Sequence, residues 1–334
     1  APGAQLVAGG RVWTGGGLAI APVHRTGGEG RVWDQFGYAV CSNCLRFNEV
    51  HLSDTPPESC RHCTGSLSSG HQGLRGIYVK PEFGFIASPD EPKRSGEGRP
   101  RRIYSSRVFF ADFGQGPNVD APLDLSPDAS RYRVAFSRGG RLAVVNAGPA
   151  AGGFRVCERC GHGETAPLPH QRKGRGKPAS HRNPKSGRPC NAPLRSLHLG
   201  HTFETDVLAI TLPASSPVDR ASGLSLLYAI LEGASEALGI SRDDLDGVVW
   251  GAGTPELLVF DAVPGGAGHA RLVGERFEDV AESARRRVAS CECGLETSCY
   301  ECLRAYANQP FHDFLERGLA LAMIDQFLRA PSAS

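Results

Sequence analysis

The stretch CECGLETSCYECLRAYANQ (residues 291–309) places four cysteines within twelve residues and follows them with Arg304, Tyr306, Asn308 and Gln309. Taken alone, it is compatible with a redox pair, a disulfide network, a catalytic zinc or a structural zinc. The other cysteines help to decide, because all eleven fall into three groups and none is left over. The groups are Cys41, Cys44, Cys60 and Cys63; Cys157, Cys160 and Cys190; and Cys291, Cys293, Cys299 and Cys302.

Paired Cys-x-x-Cys elements in a large chain without a secretory signal indicate zinc ligands rather than disulfides. The first group has the spacing C-x2-C-x15-C-x2-C and the third has C-x-C-x5-C-x2-C. Four thiolates saturate a tetrahedral zinc and leave no position for water or substrate, so both sites are predicted to be structural. Thioredoxin-like chemistry would need one exposed Cys-x-x-Cys of low pKa, which four clustered cysteines do not suggest.

The second group has three cysteines and needs a histidine to complete a tetrahedron. The candidates are His162, His170 and His181. We expect His181, because it forms a second ligand pair with Cys190, opposite the first pair of cysteines. His162 follows Cys160 too closely for an easy chelate. The sequence therefore predicts three zinc ions.

Composition bounds the class of protein. A chain of 334 residues suffices for two or three compact units, and 37 Lys and Arg against 35 Asp and Glu leave it nearly neutral. No apolar run approaches the roughly 18 residues of a membrane span, and the start APGAQLVAGG lacks a secretory signal. We therefore expect a soluble, cytoplasmic protein. Met323 is the only methionine, which suggests a piece of a longer polypeptide.

Periodicity predicts a mixed α+β fold, with a β-rich N-terminal half that includes a zinc ribbon, followed by a small α/β domain with a zinc-clipped helical segment. Gly139 and Gly140 are expected to form a hairpin turn. The C-terminal strands are predicted at DVLAITL, VVWGA and LLVFDAV, with a helix over residues 220–240 and further helices flanking the third cysteine group. The predicted units are residues 1–73 (zinc ribbon), 74–156 (β-rich), 157–205 (second zinc and basic loop) and 206–334 (α/β).

A basic loop lies between Cys160 and Cys190, where no acidic residue follows Glu164. Such a loop is either a solvated surface or, with zinc holding both ends and Gly and Pro letting the backbone approach phosphate, a nucleic-acid contact. We favour contact with DNA, extended by a second basic patch. The predicted contacts are Lys93, Arg94, Arg101, Arg102, Arg172, Lys173, Arg175, Lys177, Arg182 and Lys185.

Acidic residues raise an alternative function. Asp206, Glu256 and Asp261 lie at predicted strand ends and suit a nuclease metal in principle, but no E-x-K follows at the expected place, so no catalytic residue is predicted. The nearby PGGAGHA segment is either a tight turn that packs helix against sheet or an anion site of backbone amides. No G-x4-G-K-[ST] motif is present, so the chain is not a helicase on its own.

Four segments together resemble the MZB zinc-binding domain family, which is found behind superfamily 2 DNA helicases. They are FRVCERCG (154–161), HLGHTFETDVLAITL (198–212), VFDAVPGGAGHARL (259–272) and SCYECLRAYANQPFHDFLERGLA (298–320). The stand-alone form, the B component of the DISARM anti-phage defence system, is more similar still. In this resemblance the third cysteine group corresponds to the family's four-cysteine cluster.

The resemblance implies a non-catalytic accessory subunit that binds DNA and partners a separate superfamily 2 helicase or ATPase in bacterial defence. The C-terminal part of a DNA-repair helicase is an alternative. Polar and aromatic residues just outside a rigid zinc site suit a protein interface, so we expect the partner to contact Arg304, Tyr306, Asn308 and Gln309.

Overall fold

The computed structural model describes residues 1–20, 33–52, 58–67, 75–96, 106–114, 121–126, 132–167, 180–211, 219–250 and 256–328. Strands β1 to β9 are Gln5–Ala8, Arg11–Leu18, Gln35–Val40, Phe47–His51, Arg75–Val79, Phe85–Ala87, Lys93–Arg94, Ser106–Asp112 and Leu123–Asp124. Strands β10 to β17 are Arg133–Asn146, Phe154–Val156, Gly163–Thr165, His181–Arg182, Pro189–Cys190, Arg195–Thr211, Leu245–Trp250 and Glu256–Asp261. Helices α1 to α4 are Arg220–Leu238, His269–Glu275, Phe277–Ser290 and Arg317–Leu328. The mixed α+β fold predicted from the sequence is confirmed.

One sheet of eleven described strands forms the centre of the molecule. Its longest strand, β15, pairs antiparallel with β10, β11 and β17, and parallel with β5 at one end. Through β5 the sheet continues to β3 and β4, which lead into the first cysteine group. The predicted boundary between residues 205 and 206 lies inside β15, so the sheet is continuous across it.

The hairpin turn predicted at Gly139 and Gly140 is wrong. The segment is one uninterrupted strand, β10, whose register against β15 shifts between Ser137 and Gly140. A Cβ on Gly140 would lie 2.3 Å from the side chain of Val207 on the facing strand. The glycine therefore provides space for a buried valine at a β-bulge, rather than a turn.

Helix α1 packs on one face of the sheet and carries the largest core. Asp219 caps its N-terminus by accepting a hydrogen bond from the Ser222 amide at 2.8 Å, and Gly239 ends it in the left-handed region. Leu226, Leu227 and Ile230 are fully buried against the sheet and the other helices. The predicted helix over 220–240 is confirmed.

The segment between β17 and the third cysteine group forms two helices, α2 and α3, which meet at Arg276. Helix α3 approaches α1 closely at Gly233, where a Cβ would lie 2.6 Å from the Ala284 amide nitrogen. Helix α4 then packs on both α1 and α3. Among the described residues, no helix is both long and apolar enough to cross a membrane.

Candidate metal centres and their surroundings

The first centre brings together Cys41, Cys44, Cys60 and Cys63, as the spacing predicts. The Sγ atoms of Cys41 and Cys63 are 3.5 Å apart, and those of Cys44 and Cys60 are 3.6 Å apart. Zn–S bonds of about 2.3 Å in a tetrahedron place sulfurs about 3.8 Å from one another. The four thiols therefore fit a zinc ion without rearrangement.

The two cysteine pairs of this centre lie in two separate tight turns that have the same backbone geometry. The Cys41 amide donates to the Arg46 carbonyl at 3.0 Å, and the Cys60 amide donates to the Gly65 carbonyl at 2.7 Å. The residue after the second cysteine adopts left-handed backbone in both turns, with φ of 58° at Leu45 and at Thr64. We call this arrangement a knuckle; it points both thiols of a pair to one side.

Burial and hydrogen bonds act in opposite directions on the thiols of this centre, and burial raises the pKa of Cys41 and of Cys44. The Asn43 amide donates to Cys41 Sγ at 3.4 Å, and Asn43 Nδ2 donates to Cys63 Sγ at 3.5 Å. Burial opposes ionisation of Cys63, but hydrogen bonds from Asn43 and the Gly65 amide outweigh it and lower the pKa of Cys63 to about 6. A thiolate is the form that binds zinc, so Cys63 is the thiol closest to its metal-binding form, and a metal must displace the protons of Cys41 and Cys44.

The second centre brings together Cys157, Cys160, His181 and Cys190, all of them buried. Cys160 Sγ lies 3.3 Å from His181 Nε2, and Cys157 Sγ lies 4.0 Å from Cys190 Sγ. This is the Cys3His set expected from the sequence. The ring of His162 stacks on that of His181, with centroids 4.8 Å apart, and stays outside the group. His170 lies outside the described residues.

A turn in this region has the backbone geometry of a knuckle but contains no cysteine. The Asn183 amide donates to the Arg188 carbonyl at 2.8 Å, and Gly187 is left-handed with φ of 66°. Asn183 Oδ1 accepts from the amides of Lys185 and Ser186, as Cys41 Sγ accepts from Asn43. The turn joins β13 to β14 and so sets the positions of the ligands on both strands. This turn was not predicted from the sequence, although NPKSGR (183–188) has the length and the glycine of a knuckle.

The third centre brings together Cys291, Cys293, Cys299 and Cys302, in the loop between α3 and α4. Four sulfur-to-sulfur contacts, with Sγ separations of 3.5 to 3.9 Å, and two contacts between Cys302 Sγ and the Cys299 backbone hold the group. Burial raises the pKa of Cys302 to about 12, so a metal must displace its proton. The loop connects the two helices as the sequence predicts.

Arg317, the first residue of α4, ties this centre to the helices. Its guanidinium donates to the carbonyls of Val288 at the end of α3, at 2.8 Å, and of Cys293, at 2.6 Å. Its own amide donates to the Thr297 carbonyl at 2.8 Å. Arg317 is buried, and these three hydrogen bonds fix the loop against α3 and α4.

The described basic residues among the predicted DNA contacts are all exposed. Lys93 and Arg94 form β7, where Arg94 pairs with Arg11 on the small N-terminal sheet. Arg182 and Lys185 lie on the β13–β14 hairpin beside the second centre. The remaining predicted contacts fall outside the described residues: Arg101, Arg102, Arg172, Lys173, Arg175 and Lys177.

Asn308, which was predicted to contact a partner, is buried. It is 1% exposed; its Nδ2 donates to the Leu303 carbonyl at 2.9 Å, and its Oδ1 accepts from the Ala305 amide at 2.8 Å. Those bonds close the loop, so the side chain is unavailable to another molecule. Tyr306 is 52% exposed, while Arg304 and Gln309 are partly exposed.

Asp261 has a structural role rather than the catalytic one that a nuclease would need. It is fully buried, and its carboxylate accepts hydrogen bonds from the amides of Ala267, His269 at 3.2 Å and Ala270 at 2.7 Å. These are the amides that an anion at the start of α2 would use. The PGGAGHA segment is therefore a tight turn held by Asp261.

Asp206 lies beneath the same turn. A Cβ on Gly266 would lie 2.5 Å from the Asp206 carboxyl carbon, so the turn covers the side chain closely. Burial and the charge of Asp261 raise the pKa of Asp206. Among the described residues, neither aspartate belongs to a group of three side chains able to hold a metal.

The fold and these centres define a class: a mixed α+β protein with three clusters that can each hold zinc in a closed, four-ligand site. Residues 226–303, from α1 through the third centre, match the family model of the MrfA Zn-binding domain, MZB. This match confirms the resemblance to the MZB family. The similarity to the DISARM component in particular stays a prediction.

The chain is also similar to longer proteins. It is 24% identical over 317 residues to the Druantia protein DruE of Escherichia coli (strain UMEA 4076-1), an alignment covering 85% of this chain and 16% of that protein. A crystal structure of the DUF1998 helicase MrfA bound to DNA shares 13% identity at a TM-score of 0.38, covering 70% of this chain and 26% of that one. A second crystal structure of the DUF1998 helicase MrfA shares 16% identity at a TM-score of 0.30. That alignment covers 68% of this chain and 29% of that one.

Proposed function

We propose that this chain is a non-catalytic, zinc-stabilised unit that binds DNA and acts with a superfamily 2 helicase in bacterial anti-phage defence. The observation that carries the proposal is the match to the MZB family from α1 through the third centre. The similarity to the Druantia protein DruE supports the defence setting. The chain covers 16% of that protein. We place the helicase on a separate subunit, and the alternative is that this chain is the C-terminal part of a DNA-repair helicase.

The chemistry of the centres supports a role without catalysis. Each group provides four ligands of the type that zinc prefers, and four ligands fill its tetrahedral shell. A catalytic zinc keeps one position for water or substrate. Zinc at these centres would therefore contribute to folding and hold the knuckles and helices in place.

DNA binding is proposed from the distribution of basic residues. Arg182 and Lys185 extend from the rigid hairpin of the second centre, next to the basic loop that precedes it in the chain. Point charges near a polyanion need little geometric precision, so we expect contacts to phosphates rather than to base edges. Binding should then be independent of sequence and sensitive to salt.

The test measures DNA affinity of the full chain across a salt series. Alanine at Arg172, Lys173, Arg175 and Lys177 should reduce the magnitude of the slope of log K against log salt by up to about 3.6 for duplex DNA or about 2.8 for single strands, at about 0.9 or about 0.7 per phosphate contact. A matched control replaces four exposed arginines outside the loop by alanine: Arg133, Arg276, Arg285 and Arg286. Equal affinity and slope in parent and loop variant would show that the loop is only a solvated surface.

The alternative of a metal-dependent nuclease is tested in the same preparation. DNA incubated with the chain and Mg²⁺ or Mn²⁺ should stay intact, because the Asp261 carboxylate is occupied by backbone amides. Cleavage that disappears in an Asp206→Asn variant would overturn the non-catalytic proposal.

A further inference from the structure

Apolar side chains are exposed around the third centre. Leu295, Tyr300 and Tyr306 are 55%, 58% and 52% exposed, and they lie within one loop region. That region is rigidly held: the Gly318 amide donates to the Leu295 carbonyl at 2.8 Å, and the Tyr300 ring packs edge-on against His312 at 5.6 Å. Aromatic side chains fixed in an exposed position are typical of protein interfaces.

Acidic residues alternate in the sequence with these apolar side chains. Residues 291–316 contain five carboxylates and one Lys or Arg, Arg304. A zinc bound by four thiolates would add a net charge of about −2. The five carboxylates are Glu292, Glu296, Glu301, Asp313 and Glu316.

The acidic residues of the loop differ from those of the adjoining helices in having no cationic partner. On the helices, Glu275 pairs with Arg271 and Asp325 pairs with Arg285. Within the part of the chain that the structure describes, Glu292, Glu296 and Glu301 form no ion pair, and all three are exposed. Their charges are therefore available to another molecule.

DNA does not fit this surface, because phosphates would meet unpaired carboxylates and a negative metal centre. A protein surface that combines Lys or Arg with apolar side chains fits both features. Resting on the proposed function, we propose that the acidic-aromatic surface formed by Leu295, Glu296, Tyr300, Glu301 and Tyr306 docks a basic, apolar surface of the helicase polypeptide. DNA binding is then left to the basic hairpin and loop elsewhere in the chain.

The test uses the full chain and the purified superfamily 2 helicase polypeptide encoded with it. Glu296→Lys combined with Glu301→Lys should weaken association about tenfold at low salt and by less at high salt, because each reversal replaces an attraction with a repulsion. The charge-matched control, Glu82→Lys with Glu91→Lys, changes exposed residues near β6 and β7 and should associate like the parent.

A second pair of variants tests the apolar part. Leu295→Ala with Tyr306→Ala should also weaken association, whereas Leu6→Ala with Val7→Ala removes comparably exposed apolar groups and should not. Zinc content and melting temperature should match the parent in all four variants. A carboxyl-to-amine cross-linker of zero length should join Glu296 or Glu301 to helicase lysines.

The outcomes separate this inference from the proposed function. If the parent associates with the helicase and both surface variants do so equally well, the docking surface is wrong while the helicase partnership stands. If the parent fails to associate with the helicase, the docking surface and the partnership with a separate helicase subunit are both overturned, while the salt series still tests DNA binding. Loss of DNA affinity in the Leu295 and Tyr306 variant, with helicase association unchanged, would identify a base-stacking surface instead and contradict the inference.

Discussion

At the scale of single residues, buried polar side chains hold the turns next to the metal centres. Asp261 binds three amides at the start of α2, and Asn308 closes the loop after the third centre. Sequence alone gave each of them a possible functional role, because an aspartate after a strand or an asparagine in a polar stretch carries no signal of its burial. His181 was predictable, since the chemistry of three cysteines requires one more ligand.

The two aspartates should respond oppositely to the same substitution. Asp261→Asn replaces a carboxylate that accepts three amide hydrogen bonds by an amide with two donors, so the free energy of unfolding should fall by about 2 kcal/mol. Asp206→Asn should leave stability unchanged or raise it at pH 7. Burial raises the pKa of Asp206, so its ionised form destabilises the folded state.

The stability gain expected from Asp206→Asn should depend on pH. The folded protein holds the Asp206 proton more tightly than the unfolded chain, so the gain from Asp206→Asn should shrink as pH falls towards the ordinary aspartate pKa of 3.8. Denaturant unfolding of parent and both variants at several pH values measures this. A gain that grows on acidification would contradict the burial argument.

At the scale of elements, the sequence pattern predicts the elements that are determined by neighbouring residues, such as helix α1. Helix α1 has apolar residues at helical spacing, an aspartate cap and a terminal glycine, and its bounds agree with the prediction. The bulge in β10 and the parallel contact of β5 with β15 were not predictable, because residues distant in sequence set them. Gly139-Gly140 favours a turn in isolation, and only the buried Val207 explains why the strand continues.

Gly140→Ala tests the bulge. The added methyl group would overlap Val207, so the free energy of unfolding should fall by about 1–3 kcal/mol. Val207→Ala alone should also destabilise, because it leaves a cavity in a fully buried site. The double variant should lose less stability than the sum of both, since each change relieves the other. Additive losses would show that Gly140 does not contact Val207.

At the scale of the whole molecule, one sheet links regions that the cysteine groups suggested were separate. Arg46 belongs to the first knuckle, yet its guanidinium lies 4.7 Å from the ring centroid of Trp250 on β16 and 5.1 Å from that of Phe110 on β8. Trp250 is buried and Arg46 is partly buried, so this cation–π contact is partly shielded from water. The first centre is therefore attached to the sheet that also carries the helical half and the third centre.

Because of this attachment, we expect loss of the first zinc to destabilise the sheet as well as the knuckle. The parent should bind three zinc ions per chain, and Cys44→Ser should bind two. Because Arg46 joins the first knuckle to Trp250, amide hydrogen exchange in β16 and β17 should speed up in Cys44→Ser as well as around residues 41–67. Elemental analysis and exchange mass spectrometry measure both effects.

Arg46→Ala tests zinc binding by the first centre separately from the attachment of that centre to the sheet. It removes a partly shielded cation–π contact worth about 1 kcal/mol, but the knuckle's backbone hydrogen bonds and thiols remain, so all three zinc ions should stay bound. In this background, Cys44→Ser should have a smaller effect on exchange in β16, because the path from the first centre to the sheet is weakened. Parent-like exchange of β16 in Cys44→Ser alone would instead make the ribbon an independent unit, with its boundary near residue 73 as the composition predicts.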